Sequence, residues 1–491
     1  MAGLLALLMA SACISCGGDA PSGENSDTTA ADTAAVTEAP AEVLKSGVPD
    51  DVKFGGETIK ILNAQYYDHY FYMLDVPEAN GDTVNDAIYN RNLGVQDKLN
   101  IKLEFINMLD SSPFAASKAF RQSVMAGDQA YDIMMGMQFR MVQLTIEDLF
   151  LNLIDAPYVD IEKPWWYQTY MESVNLNPDL RFMLNGDFSL NFIRLMGAIY
   201  FNKDLMGEYH KNSDMLYDEV LAGTWTLDRF GQVVKDVYKD LNGNQTADFD
   251  DLQGLVTVPN AYPSYTLLFA AGGKVTDKTD KGWKITTDLE RNVSICEKLY
   301  DLMYETVGSF PTELTNTIMD NELPQKFSDG TMMMHVGLLM TAEYLRDMDD
   351  SYGIIPFPKY DANQESYRAV VQDLAATASL PKTSNNTEIC AAVLEEMAYQ
   401  GYMDMLPQFY SVALKNKYMR DTDDKAMQII DIIHDAAWSE VGFVHAFNMN
   451  SLAMIPRFML AEKAENYASR WASSLPKAEE KFAQLLEFYN K

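Results

Sequence analysis

The order of hydrophobic runs between residues 58 and 136 constrains this chain more than any other feature. Thr58-Ile59-Lys60-Ile61-Leu62 alternates as a strand, and Val84, Ile88, Val95 and Leu99 then recur at helical spacing. Ile101 to Ile106 alternates again, and a helix through Phe120 and Val124 stops near Gly127. Tyr131-Asp132-Ile133-Met134-Met135-Gly136 is a third strand, closed by glycine. Strands separated by helices pair in parallel, so this run predicts an α/β fold with a ligand site beyond the carboxyl ends of its strands. Ala198 to Leu205 repeats the strand-to-helix pattern, and Thr224 or Thr226 is the expected N-cap of a further helix. Tyr352 to Pro358 is a strand broken by two prolines, Val370 to Leu380 is a strand stopped by Pro381, and the tail after Asp421 is helical. No repeat of fixed period occurs. At 491 residues the chain exceeds what one core supports, so two or more lobes are expected.

The beginning of the sequence has a different character. A short apolar run from Leu4 to Met9 is followed by Ala10, Ser11, Ala12, Cys13 and Cys16. This resembles the end of a bacterial lipoprotein signal, in which a cysteine after small residues is lipidated. Cys16, which leads into Gly17-Gly18-Asp19, is the expected site, with Cys13 as the alternative. Residues 17 to 52 carry no aromatic side chain and cannot bury enough area to order themselves, so they are expected to be a disordered tether spanning roughly 30 Å. No later segment offers some twenty uncharged apolar residues, so the lipid is the expected hold on the membrane. Asp and Glu number 71 against 38 Lys and Arg, a net charge of -33 that repels phosphate backbones and excludes nucleic acid as a partner.

Five motifs then follow one another in order. They are Tyr200-Phe201-Asn202-Lys203-Asp204-Leu205, Thr224-Trp225-Thr226, Phe327-Ser328-Asp329-Gly330-Thr331-Met332-Met333-Met334, Tyr352 to Tyr360, and Leu380-Pro381-Lys382-Thr383-Ser384. Together with the N-terminal signal, the chain from about Lys53 onward resembles the extracellular solute-binding proteins of ABC importer family 1. The resemblance implies a periplasmic-binding-protein-like (type II) fold: two α/β lobes, joined by crossing strands, that close on a ligand between them. It places the first crossing near Asn185-Gly186-Asp187 and the return near Tyr352 to Pro356. The implied organisation is a signal peptide at 1–16, a tether at 17–52, a first lobe at 53–183 and a second lobe at 184–355. The chain then returns to the first lobe at 356–420 and ends in helices at 421–491, mainly on the second lobe. Sugars are the family's commonest cargo, so the resemblance implies a monomeric, lipid-anchored protein on the outer face of a bacterial cell membrane. It would capture an oligosaccharide for ABC permease subunits. A surface lipoprotein that cleaves glycans and a binding protein for peptides or other solutes are the alternatives.

Catalytic motifs give no support to an enzyme. The chain has no Gly-x-Ser-x-Gly elbow, His-Glu-x-x-His or Walker loop, and its five histidines form no close ligand spacing. The sharpest chemical signal is the stretch from Asp240 to Asp251. Asp240, Asn242, Asn244, Asp248 and Asp251 bear side-chain oxygens at positions 1, 3, 5, 9 and 12, and Thr246 is placed to offer its carbonyl, a spacing that wraps one Ca²⁺. Gln245 stands where glycine usually makes the turn, and Asp251 is shorter than the usual glutamate; the alternative is an Asx-rich surface turn. For ligand contact the sequence points to Tyr66 and Tyr67 after the first strand and to Gln138 and Arg140 after the third. Trp165 and Trp166 are added because neighbours on an extended chain face opposite ways, so one should be exposed or in the cleft. Asp187, His335 and Asp373 complete the set, whereas Trp225 is expected to be structural.

Overall fold

The structure is a computed structural model that describes residues 44–313, 321–414 and 423–491. Cys13, Cys16 and residues 17–43 of the expected tether lie outside the described residues; the end of that stretch is part of the fold, with Val48 buried and Gly47 N–H donating to Glu395 at 2.8 Å. The chain divides into Met1–Ser46 and Gly47–Lys491, and the fold below is that of the second unit.

In chain order the unit begins with β1 (Glu57–Gln65), α1 (Thr83–Leu99), β2 (Ile101–Leu109), α2 (Ala115–Ala126), β3 (Ile133–Met137) and α3 (Gln138–Ile146). Two short helices follow, α4 (Gln168–Ser173) and α5 (Leu190–Arg194). Next are β4 (Gly197–Asn202), α6 (Lys203–His210), α7 (Met215–Leu221), α8 (Leu227–Val234), β5 (Tyr238–Lys239), β6 (Leu252–Thr257) and α9 (Pro263–Ala270). The hairpin β7 (Thr276–Thr279) and β8 (Gly282–Ile285) precedes α10 (Glu290–Tyr300), β9 (Ser309–Pro311), α11 (Leu323–Ser328), β10 (Met332–Leu338) and β11 (Tyr352–Ile355). Then come β12 (Ala369–Val370), β13 (Ala376–Ser379), α12 (Thr387–Gln400), α13 (Leu406–Leu414), α14 (Asp423–Asp435) and β14 (Ala437–Trp438). The chain ends with α15 (Val441–Val444), α16 (Ile455–Ala461) and α17 (Tyr467–Tyr489).

Two main sheets organise these elements. The first has the order β13-β3-β1-β2, with β1 parallel to both β2 and β3, and β13 antiparallel to β3. The second has the order β11-β4-β10-β6-β5, with β9 also pairing with β6. Local chemistry accounts for the first run. Asp82 caps α1 by accepting from the N–H groups of Val84 and Asn85, and Gly127 stops α2 in the left-handed region at φ 67°. All five residues of β3 are buried, as befits a strand covered on both faces.

The family-like motifs have physical reasons as well. Asn202 caps α6 by accepting from the N–H groups of Asp204 and Leu205, both at 3.0 Å. Thr226 caps α8. Trp225 is fully buried and donates its indole N–H to the Pro356 carbonyl at 3.0 Å, a structural role as expected. At Gly353 a Cβ would come within 2.3 Å of the Phe201 ring, so β11 can lie against β4 only with glycine there.

Crossing segments join the two sheets side by side. Leu184 bridges to Ala378 and Met196 bridges to Val371, both antiparallel. Further bonds reinforce the junction: Ala376 N–H to the Asn191 side chain at 2.7 Å, and Gln372 N–H to the Leu195 carbonyl at 3.0 Å. The outward crossing runs from about Leu184 to Met196. The return is later than residue 356. Lys359 pairs with Thr226, the Gln364 side chain donates to the Ala270 carbonyl, and Tyr367 donates to the Val220 carbonyl. These contacts hold 356–370 to the helices of the second sheet, and the chain rejoins the first between Asp373 and Ala376, where α3 and then β3 receive it. The C-terminal helices serve both halves: α16 lies against α9, while Phe488 and Tyr489 at the end of α17 pack on Phe182.

Candidate ligand cleft

The parallel strands β1 and β3 deliver their carboxyl ends to the junction between the sheets. Gln65 ends β1 with 1% of its surface exposed; its amide donates to Asn63 at 3.0 Å, and its Oε1 has no partner. Beyond it, the rings of Tyr66, Tyr67, His69 and Tyr70 form a cluster with centroids 4.6–5.6 Å apart, and Tyr67 is exposed. At the end of β3 the chain turns directly into α3. The N–H groups of Gln138 and Phe139 are held by the carbonyls of Ala375 and Asp373 in the returning crossing. Gln138 accepts from the Tyr170 hydroxyl at 2.7 Å, which leaves its Nε2 buried and unpartnered. Arg140 lies over the Phe114 ring at 4.1 Å, with its Nε 3.9 Å from the buried carboxylate of Asp110.

Other polar and aromatic residues of the two halves were not marked by the sequence pattern. Arg194 on α5 is nearly buried and grips Glu343 through two bonds of 2.7 Å, leaving Nη1 without a partner. Burial works against the charge of Arg194, and the Glu343 bonds outweigh it, so the guanidinium stays charged. Asn260, after β6, accepts from Arg457 Nε on α16 at 2.9 Å. Phe447 is exposed, with its ring 6.2 Å from that of Phe139.

Buried polar groups are nearly always paired, so a concentration of unpaired ones calls for an explanation. Around this junction Gln65 Oε1, Gln138 Nε2, Asn191 Nδ2, Arg194 Nη1, Gln372 Oε1 and Asn448 Nδ2 lack a hydrogen-bond partner, and Arg140 Nε has only its distant ion pair with Asp110. Donors and acceptors are mixed, and aromatic rings stand beside them. Asp373 adds a carboxyl group pushed up to about 6 by burial, with Arg457 pulling the other way. The arrangement suits a ligand rich in hydroxyls, each of which both donates and accepts, with C–H faces for the rings.

Tyr66, Tyr67, Gln138, Arg140 and Asp373 are therefore brought together. Other candidates are not. Trp165 and Trp166 are both buried and both donate their indole N–H groups to Glu395 on α12, at 3.2 and 2.9 Å, so neither is exposed. The alternation argument fails because the chain turns here, with Trp166 N–H bonded to the Lys163 carbonyl. His335 is a core residue of β10, with the rings of Tyr200 and Phe327 each 6.1 Å away and its pKa pushed down to about 4 by burial. Asp187 is buried in the outward crossing, where it accepts from Tyr167 at 2.5 Å and lies 4.0 Å from His434. Burial raises its carboxyl to about 6, with His434 and Tyr167 opposing. Cys296 and Cys390 are free and buried.

The 240–251 loop connects β5 to β6, away from this junction. Among the described residues, no three His, Cys, Asp or Glu side chains converge into a metal centre. The loop's own groups bond to one another. Asp240 accepts from the N–H groups of Gly243 and Gln245, Asn242 and Asn244 both donate to Asp248, and buried Asp251 accepts from Leu241, Asp248 and Tyr238. Gln245 adopts the left-handed region at φ 62°, the conformation for which glycine is usual at that place, at a cost of about 1 kcal/mol.

No family model and no curated protein matches the sequence. Solved structures do match in fold. An ABC transporter solute-binding protein from Thermotoga lettingae, bound with α-D-tagatose, superposes at a TM-score of 0.54 with 13% identity, over 87% of this chain and 100% of its own. A cyclo/maltodextrin-binding protein complexed with maltotetraose gives 0.54 with 12% identity, over 87% and 96%. The GacH receptor of Streptomyces glaucescens, solved unliganded and with acarbose, gives 0.52 with 14% identity, over 88% and 99%. The chain accordingly has the periplasmic-binding-protein-like type II fold of ABC-transporter solute-binding proteins.

Proposed function

We propose that this chain is a non-catalytic binding protein that captures an oligosaccharide between its two sheets and hands it to an ABC importer. The observation that carries the reading is the set of unpaired buried donors and acceptors at the junction, flanked by the Tyr66–Tyr70 rings and by Phe139 and Phe447. The ligands in the fold relatives, α-D-tagatose, maltotetraose and acarbose, are of the same hydroxyl-rich kind. Each sheet with its helices would form one lobe, the paired crossings at Leu184/Ala378 and Met196/Val371 acting as the hinge. Ligand that touches both lobes favours the closed arrangement by its extra affinity for it.

Calorimetry of the purified chain against neutral oligosaccharides, with chromatography of the sugar afterwards, tests this. Binding that is weakened by Tyr66→Ala, with the sugar recovered intact, is expected. Binding of peptides alone, or cleavage in proportion to protein, would overturn it.

Two further parts of the reading rest on the sequence. Lipidation of Cys16, or of Cys13, would tether the domain to the outer face of the membrane near its permease. The loop of Asp240, Asn242, Asn244, Thr246, Asp248 and Asp251 would hold one structural Ca²⁺, which would supply the positive charge now provided to Asp248 by two amide N–H groups. The left-handed turn at Gln245 supports the fit.

A further inference from the structure

Asp187 and His434 are buried groups that the binding reading leaves unused. Asp187 lies where the outward crossing leaves the first half. Its N–H is bonded to the Trp165 carbonyl at 3.0 Å, Gly186 beside it bridges to Trp166, and a Cβ on Gly401 would come within 1.8 Å of its carbonyl oxygen. Gly401 opens a π-helical turn, Gly401–Met405, at the end of α12, which packs on α1 of the first half. His434 belongs to the other half: its helix α14 packs on β11 and α7, and Lys425 of α14 pairs with Asp218 of α7. The carboxylate and the imidazole thus sit on elements of different halves, with Asp187 Oδ2 4.0 Å from His434 Nε2. Neither atom has a hydrogen-bond partner, although both are buried.

The other groups around the pair are phenols and acids. Asp187 Oδ1 accepts from Tyr167 at 2.5 Å, and the rings of Tyr167 and Tyr402 lie 5.1 and 6.5 Å from that of His434. Tyr410 on α13 feels the Asp187 charge, and its hydroxyl is unpartnered. On α14 itself Asp435 lies 3.2 Å from His434 Nδ1, and Asp431 adds a further negative charge. Among the described residues no Lys or Arg pairs with Asp187, so His434 is its basic partner.

We propose that Asp187 and His434 form a proton-operated latch between the halves, engaged only while the carboxylate is ionised and the imidazole is protonated. This goes beyond the binding reading, for it needs two halves that move and no particular ligand. Burial raises the Asp187 carboxyl to about 6, against the pull of His434 and Tyr167. Burial also works against charge on His434, but the Asp435 hydrogen bond and the charges of Asp187, Asp435 and Asp431 outweigh it and hold the ring above its ordinary 6.5. Both charges therefore coexist only over a span near neutral pH. Acid neutralises Asp187, alkali neutralises His434, and either change removes the attraction across the gap. The arrangement of the halves described above then loses a tie, and the equilibrium moves toward others.

Pulsed electron spin resonance tests this on the full chain without ligand, with labels at Met125→Cys on α2 and Val307→Cys beside β9, and with Cys13→Ala and Cys16→Ala. Both labelled positions are exposed, whereas Cys296 and Cys390 are buried. The population at the latched distance, relative to the rest, should be highest at pH 7 and fall by at least about threefold at both pH 5 and pH 9. Asp187→Asn and His434→Gln should each flatten that profile, with melting curves to verify that both fold. The His434 ring resonance, identified by its loss in His434→Gln, should titrate at lower pH in Asp187→Asn than in the wild type. A wild-type distance that ignores pH, a response that survives in a folded variant, or an unmoved His434 titration would overturn the latch and leave the ligand reading standing.

Discussion

His335 permits a quantitative test of the second sheet's core. It is 2% exposed in β10, its Nδ1 has no partner, and burial pushes its pKa down to about 4 from an ordinary 6.5. The folded state thus holds the ring neutral, whereas the unfolded chain takes up a proton near pH 6.5. A folded pKa below the unfolded one means stability that is present in full above pH 6.5 and is lost as pH falls towards 4. For a single site, acidification from pH 7 to 4.5 then costs roughly 2 to 3 kcal/mol, from about 1.4 kcal/mol per pH unit over the part of the window crossed. Replacing His335 by Gln removes the titration. Urea unfolding at the two pH values should show a stability difference about 2 kcal/mol smaller in His335→Gln than in the wild type, whatever the variant costs at pH 7. The His335 C–H resonance should also stay unshifted above about pH 5. Equal pH dependence in the two proteins, or a resonance moving near pH 6.5, would refute the buried placement and reopen His335 as a ligand-facing residue.

Three other outcomes are expected. Trp166→Ala should cost about 3–5 kcal/mol in chemical denaturation and leave sugar affinity of the remaining folded protein unchanged, because the ring is packed beside Glu395 and not in the junction. If the 240–251 loop holds calcium, EGTA should lower the melting temperature of metal-loaded protein, and Asp240→Ala should abolish that response; an unchanged melt would remove any stabilising role for the ion. Joint replacement of Cys13 and Cys16 by Ala should move the protein from the membrane fraction to the medium, and retention in the membrane would exclude lipid anchoring there.

The first five elements were legible because periodicity and stop signals agree along that stretch: Asp82 and Gly127 mark ends that hydrogen bonding then enforces. The return crossing was not, because Tyr352 to Pro358 is apolar whichever sheet receives it. Only distant partners, Thr226 for Lys359 and Ala270 for Gln364, decide its place. Tyr66 and Gln138 could be placed near each other from the sequence because each follows a strand of one parallel sheet at its carboxyl end. Arg457 and Asn260 are 197 residues apart, and Arg194 and Glu343 are 149 apart, so no local pattern announces either pair. The tryptophan pair failed for the same reason: the carboxylate that draws both rings inward is supplied from 229 and 230 residues away.

The lateness of these partnerships also bears on how the chain reaches its fold. The first sheet lacks its edge until β13 is made, since Thr377 must bond to Leu184 across 193 residues. The second half waits longer still, because β12 pairs with β14. Asn177, between α4 and the outward crossing, donates to the carbonyl of Tyr489, 312 residues away. A ribosome that has released three quarters of this chain has therefore completed neither half. Such distant contacts carry a large loop-closure cost before they return any stability, which makes folding slow and keeps the growing chain open until its last helix is present.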